Sequence, residues 1–252
     1  MPELTIMITG HPAWAAALHT ALGGARLLHD AERPADLIAR LVDDAVDLIV
    51  VDGADADWRE WTTAPKRSPA TRRIPVVLVT TDPAIRADAP SFGADATLTP
   101  DEVATRLPAL IYEQVSLPRA LQQARLECDC AADLPPLALA GVEKFNAGDY
   151  YAQHDLFESL WMQTESPVRD LYRAILQVGV AYYQIERGNG RGALKMLLRS
   201  RQWLSALPDV CQGVDVRGLR EDSAQVRAEL ERLLPDRLSA FDRSLFKPLR
   251  RV

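Results

Sequence analysis

The chain has 252 residues, of which 48% are hydrophobic and 25% charged, and its net charge is −6. This is the profile of a globular protein long enough for two domains of ordinary size, and it speaks against general nucleic-acid binding. No run approaches the roughly 20 apolar residues of a membrane span. The opening MPELTIMITG also lacks the basic region and long apolar run of a signal peptide, so a soluble, cytoplasmic protein with no membrane partner is expected. The charge is uneven, with 17 acidic and 10 basic side chains in residues 1–115 against 18 and 19 in the remainder.

Through about residue 114, strand-like and helix-like segments alternate. LTIMIT is followed by PAWAAALHTAL, with Trp14, Leu18 and Leu22 at helical spacing, and ARLLHD and ADLIARLVDD repeat the pair. DLIVVD and IPVVLVTT are continuous apolar runs of the kind buried on both faces of a parallel sheet. Between them, Trp58 and Trp61 sit on a short predicted helix before a basic loop, PKRSPATRR. ADATLTP is a shorter strand, followed by the helical DEVATRLPALIYEQ. Five alternations predict a doubly wound α/β domain with a five-stranded parallel sheet over residues 1–114. Beyond that point the strand signal vanishes. Residues 115–136 read as a connecting helix and linker ending at Pro135 and Pro136. Residues 137–233 read as a small antiparallel helical bundle with short turns, and 234–252 as a basic tail. The predicted fold class is therefore α/β plus all-α.

Three cysteines form a lone C-x-C (Cys128, Cys130) and a distant Cys211. Zinc sites show more clusters than this, so free thiols in a reducing compartment and no metal are expected.

Within GDYYAQHDLFESLW, Asp149 is placed to cap a helix. At about 100° per residue, Tyr150, His154, Phe157 and Trp161 form one stripe, with Glu158 on its shoulder. An imidazole and a carboxylate four residues apart on an apolar face are either a satisfied polar pair inside a core or the acid–base pair of a pocket. They are too few for a metal site. The expectation taken is burial, with the two in hydrogen-bond reach of each other or of a shared neighbour, Gln177 or a tyrosine hydroxyl such as that of Tyr182. The following segment, PVRDLYRAILQVGVAYYQIE, is apolar almost all round apart from Arg169, Arg173, Gln177 and Gln184, which marks a helix central in its bundle. Ser166 and Pro167 are placed to open it, and RGNG to close it. Tyr150, Tyr151, Trp161, Tyr182 and Tyr183 read as core aromatics.

DLIVVDG and RRIPVVLVTT, with FGADATLTP, resemble the receiver domain of two-component signalling over residues 4–114. The resemblance puts Asp52 at the phosphoacceptor position and Thr80 at the position of the hydroxyl beside the phosphoryl group. Receivers bind Mg²⁺ through an acidic pair after the first strand, where this chain has Thr9 and Gly10. They also carry a lysine where this chain has Thr99. A phosphoryl group arriving at Asp52 would meet neither cation, so a pseudo-receiver with a vestigial site is expected.

The second half is similar to a bacterial helical family known as domain-of-unknown-function family 309, over residues 138–206. Phe145, Asn146, Gly148, Tyr150, His154, Glu158 and Trp161 carry the resemblance. It continues in Gln177, Ala181, Tyr182, Tyr183, Gly188, Asn189, Gly192 and Ala193. Ala152 and Gln184 depart from the pattern, where the family has more often an acidic residue and a histidine. The expected function is non-catalytic and regulatory, with a protein partner or self-association and no cofactor. The alternative is a small-molecule-binding or catalytic pocket on His154 and Glu158.

Overall fold

The computed structural model describes residues 4–30, 35–233 and 237–252. The chain divides into two compact units, residues 1–120 and 121–252.

The first unit is built on β1 (Thr5–Thr9), β2 (Arg26–Asp30), β3 (Leu48–Asp52), β4 (Val76–Val79) and β5 (Ala96–Leu98). All are parallel, in the order β2-β1-β3-β4-β5, which is the flavodoxin-like order. Their helices are α1 (Ala15–Ala21), α2 (Leu37–Asp43), α3 (Trp58–Arg67), α4 (Pro83–Asp88) and α5 (Pro100–Ile111). Side chains along each strand alternate between two cores, as the period of two requires. Ile6, Ile8, Val50 and Val79 pack with Leu18 of α1 and Leu107 of α5. Met7, Ile49, Val51 and Leu78 pack with Leu41 of α2 and with Trp58 and Trp61 of α3. Both faces are covered, which is why these strands read as unbroken apolar runs. The predicted basic loop begins later than expected. α3 continues through Pro65 to Arg67, because Pro65 is buried on the same face as Trp58, Trp61 and Thr62.

After α5 the chain passes through a π-helical turn, Tyr112–Ser116, into α6 (Leu117–Cys130), which lies within the predicted connecting helix. The second unit holds α7 (Pro136–Asn146), α8 (Tyr150–Gln163), α9 (Arg169–Glu186), α10 (Gly190–Ala206) and α11 (Val216–Leu233). Asp149 caps α8 by accepting from Ala152 N, and Asn189 caps α10 by accepting from Gly192 N. Ser166 lies outside α9: its Oγ accepts from Val168 N at 3.3 Å, forming a turn two residues ahead of the helix. α9 buries ten residues along its length, among them Leu171, Ile175, Val178 and Tyr182. Such a helix needs neighbours on every side. α8 and α10 supply two of them.

Three features of this unit differ from expectation. A small hairpin, β6 (Val210–Cys211) and β7 (Val214–Asp215), interrupts the helices. Its turn residues Gln212 and Gly213 both have positive φ, 51° and 72°, as a two-residue hairpin turn demands. Second, Cys130 and Cys211 are disulfide-bonded with Cα atoms 4.2 Å apart, and Cys128 is the free, exposed thiol. The free-thiol expectation fails for that pair because the partners meet only once the hairpin docks on the end of α6. Gln212 fixes that docking: its N–H donates to Cys130 O at 2.7 Å, and its Oε1 accepts from Tyr172 OH at 2.8 Å. Third, residues 237–252 of the predicted tail fold back on the helices, with Leu249 only 4% exposed; residues 234–236 lie outside the described residues. Among the described residues, no helix is long and apolar enough to cross a membrane.

The disulfide joins positions 81 residues apart, so its removal frees a long loop of the unfolded chain. Reduction, or Cys211→Ser, is expected to destabilise the second unit by about 2–4 kcal/mol. Thermal melts with and without a dithiol reductant check this, and an unchanged melt would show that the hydrogen bonds of Gln212 suffice alone.

Candidate functional site

Two places gather the residues that sequence singles out, one in each unit. In the first, the carboxyl ends of adjacent parallel strands set Asp30, Thr9, Asp52, Thr80 and Thr99 in spatial order along the sheet. The strand order reverses between β1 and β3, and open α/β sheets bind ligands at such a point. Thr9 and Asp52 stand there. The Thr9 side chain is fully buried, and its Oγ1 accepts the Asp52 backbone N–H at 2.8 Å. Asp52 Oδ1 accepts Ala54 N at 3.1 Å, closing a local turn. Gly53 lies against Thr80, where a Cβ would stand 2.6 Å from the threonine Cβ. Thr80 Oγ1 in turn accepts Asp82 N at 3.1 Å.

The neighbouring carboxylates are committed elsewhere. Asp30 pairs with Arg40 at 2.9 Å, and Asp55 accepts the Trp61 indole N–H at 3.1 Å. Thr99 opens α5 in a capping box, its N–H donating to Glu102 Oε2 at 2.8 Å. That backbone N–H, followed by Arg106, holds the Glu102 carboxyl down at about 2. His11, His29 and His19 stack nearby, with ring centroids 5.3 and 6.0 Å apart. Parallel rings present their faces rather than converging nitrogen lone pairs. Among the described residues, no group of three or more His, Cys, Asp or Glu is arranged to hold a metal.

In the second unit, His154 and Glu158 are not the buried pair that the stripe predicts. The packed face of α8 runs through Tyr150, Gln153 and Phe157. His154 is turned about 100° from Gln153. Its side chain is 33% exposed, and Nδ1 meets Asp155 Oδ1 at 3.0 Å. Glu158 is half-buried and joins no hydrogen bond or ion pair among the described residues. The buried polar residue is Gln153, fully enclosed, with Nε2 donating to Tyr150 O at 3.1 Å. Gly179 of α9 makes the room: a Cβ there would stand 2.7 Å from Gln153 Cδ.

The other predicted residues separate into two groups around α9. Trp161 belongs to a cation–π cluster, in which the Arg173 guanidinium lies 4.5 Å from its ring centroid and 4.1 Å from that of Trp203. Arg169 lies 5.6 Å from the Trp161 centroid. Trp161 Nε1, Arg169 Nε and Gln177 Oε1 are buried with no hydrogen-bond partner among the described residues. Tyr150 and Tyr182 belong elsewhere, in an aromatic cluster with Phe145 and Phe246. Burial, then the charge of Glu186, pushes the Tyr150 hydroxyl up to about 12. Burial likewise raises that of Tyr182, whose oxygen has no partner among the described residues. Neither phenol is a base near neutral pH. Phe246 and Leu249 are the site residues that sequence reasoning missed. An aromatic and a leucine three apart in a segment without helical period were the available signal.

Comparison with one protein family bears on this second unit. Residues 138–196 match the family described as Domain of unknown function (DUF309). A 91-residue stretch is 22% identical to a protein of Aquifex aeolicus (strain VF5) described as "Uncharacterized protein", covering 36% of this chain and 25% of that protein. The chain thus spans about a quarter of the length of this relative.

Two outcomes test the geometry. His154→Ala is expected to leave the melt within about 0.5 kcal/mol of the parent, as exposed positions do. Gly179→Ala, forced against Gln153, is expected to cost about 1–3 kcal/mol. The reverse ranking in thermal melts would place the buried polar contact at His154 after all. Glu102 gives an acid signature. Its carboxyl is depressed, so its support of α5 is fully present above the ordinary range near 4.5 and lost as pH falls through about 2. Protection of the Thr99 amide in hydrogen exchange should persist at pH 4 and vanish near pH 2.

Proposed function

We propose that the protein is a non-catalytic regulatory protein in which a phosphorylation-incompetent, receiver-like domain is joined to a helical interaction module. One observation carries the reading. The Thr9 hydroxyl is sealed at the strand end and used up on the Asp52 backbone, where a working receiver would offer carboxylates to Mg²⁺. Mg²⁺ demands hard oxygen ligands in octahedral array, and a buried threonine that already accepts one hydrogen bond makes a poor one. Thr99 stands at the lysine position and serves as a helix cap, so that position offers no fixed positive charge to offset a phosphoryl dianion. The parallel sheet with its two packed faces then serves as a rigid carrier, and recognition belongs to the helical unit.

A second reading, a small-ligand pocket in the helical unit, has its own support. Three orphaned polar atoms, on Trp161, Arg169 and Gln177, belong to side chains of α8 and α9. Each buried unpaired group costs about 1–3 kcal/mol, and a polar ligand would relieve that cost. In this reading the ligand sits beside Trp161, and His154 and Glu158 flank it.

Acetyl phosphate or beryllofluoride with Mg²⁺ is expected to leave Asp52 unmodified by intact mass and the tryptophan fluorescence unchanged. Saturable labelling that disappears in Asp52→Asn would refute the pseudo-receiver reading.

A further inference from the structure

The last seven residues, Phe246–Val252, are bound to the helical unit in the manner of a peptide ligand. The Phe246 ring stacks on Tyr182 with centroids 4.4 Å apart and planes 11° from parallel, and meets Tyr150 edge-on at 6.1 Å. Leu249 is buried three residues on. Its backbone is clasped by one side chain, with Asn146 Nδ2 donating to Leu249 O at 3.1 Å and Asn146 Oδ1 accepting Leu249 N at 2.6 Å. Beyond it the segment adds to the edge of β7. Asp215 N donates to Arg250 O at 3.0 Å, and Val252 N donates to Gly213 O at 2.9 Å, around an antiparallel bridge between Val214 and Arg251.

Charge completes the fit. Arg250 Nε donates to Asp215 Oδ2 at 2.9 Å, and its Nη2 lies 3.2 Å from Asp222 Oδ2. Gly218 leaves room for that guanidinium, because a Cβ there would overlap it. Main-chain pairing on a strand edge, with pockets for alternate side chains, is how sheets capture extended peptides. Pro248 fixes one φ of the segment and lowers the ordering cost.

Phe145, Asn146, Tyr150 and Tyr182 are among the residues that carry the family resemblance, and all four serve this groove. Asn146 is exposed at the end of α7 and contributes nothing to the apolar core, so the double hydrogen bond to Leu249 is the structural role it has. We propose that this face is a peptide-recognition groove, occupied here in cis, which takes the same Phe-x-x-Leu-Arg segment from a second copy of the chain. The proposal deepens the interaction-module half of the reading above and rests on that half. It is independent of Asp52, so its failure would leave the labelling experiment untouched.

The test uses the chain ended at Ala240 and a fluorescein-labelled peptide of residues 241–252. Fluorescence anisotropy is expected to show saturable one-to-one binding. Asn146→Ala in the chain, or Phe246→Ala or Arg250→Glu in the peptide, should weaken it by at least about tenfold. A shortened chain that keeps its helical circular dichroism yet binds no peptide overturns the proposal.

Should the shortened chain not fold, a protease site placed after Ala240 in the full chain allows nicking once the protein has folded. Exchange of the nicked segment for labelled peptide supports the groove. Retention without exchange, or unfolding on nicking, makes the segment a fixed part of the core and overturns it. Light scattering of the full chain then reads the second copy. A dimer that grows with concentration and is lost in Arg250→Glu is expected, and a strict monomer at every concentration overturns that assignment.

Discussion

The helical unit depends on the enclosure of α9. Ten of its 18 residues are buried, and a helix with that much apolar circumference is stable in water only if every side is covered. α8 and α10 cover two sides, by helix packing in which Gly179 admits the Gln153 side chain. The ring of Tyr182 packs beside Phe145 of α7 and Tyr150 of α8, and Phe246, from a segment with no regular structure, stacks on it. Phe246 thus covers part of α9, while Asn146 and the acidic pair Asp215 and Asp222 hold the residues that follow it.

The same constraint sorts the polar residues of the helical unit. Gln153 is enclosed because it lies between Tyr150 and Phe157 on the packed face of α8, and an amide can donate to carbonyls without carrying charge into the core. His154, one position further, falls toward water and finds Asp155. The burial cost of an imidazole–carboxylate pair is thereby avoided. Positive charge collects instead on the flank of α9, where Arg173 lies between two indoles. There the aromatic faces replace some of the hydration that the guanidinium gives up.

In the α/β unit the corresponding economy is at the strand ends. Parallel strands leave backbone N–H groups at their carboxyl edge needing acceptors. Thr9 meets that need for Asp52, Thr80 for Asp82, and Glu102 for Thr99. Thr9, Thr80 and Glu102 are thus engaged in holding the sheet edge and the first turn of α5.

The sequence alone determined the architecture. Unbroken apolar runs separated by helical periods specify a parallel sheet covered on both faces, and Asp149 marks a helix start by its own hydrogen bond. Such signals are local, so one chain segment contains them whole. Tertiary structure decided the rest. A stripe 100° per residue cannot distinguish Gln153 from His154 as the buried polar group, because the choice turns on the space at Gly179, 26 positions later. The disulfide required the hairpin at Gln212 to bring Cys211 to Cys130, across 81 residues. The basic tail became part of the fold because Phe246 stacks on Tyr182 and Leu249 is held by Asn146, the latter at a separation of 103 positions. Contacts at such separations leave no periodic trace in sequence, since they depend on shape and pairing that exist only after the helices have packed.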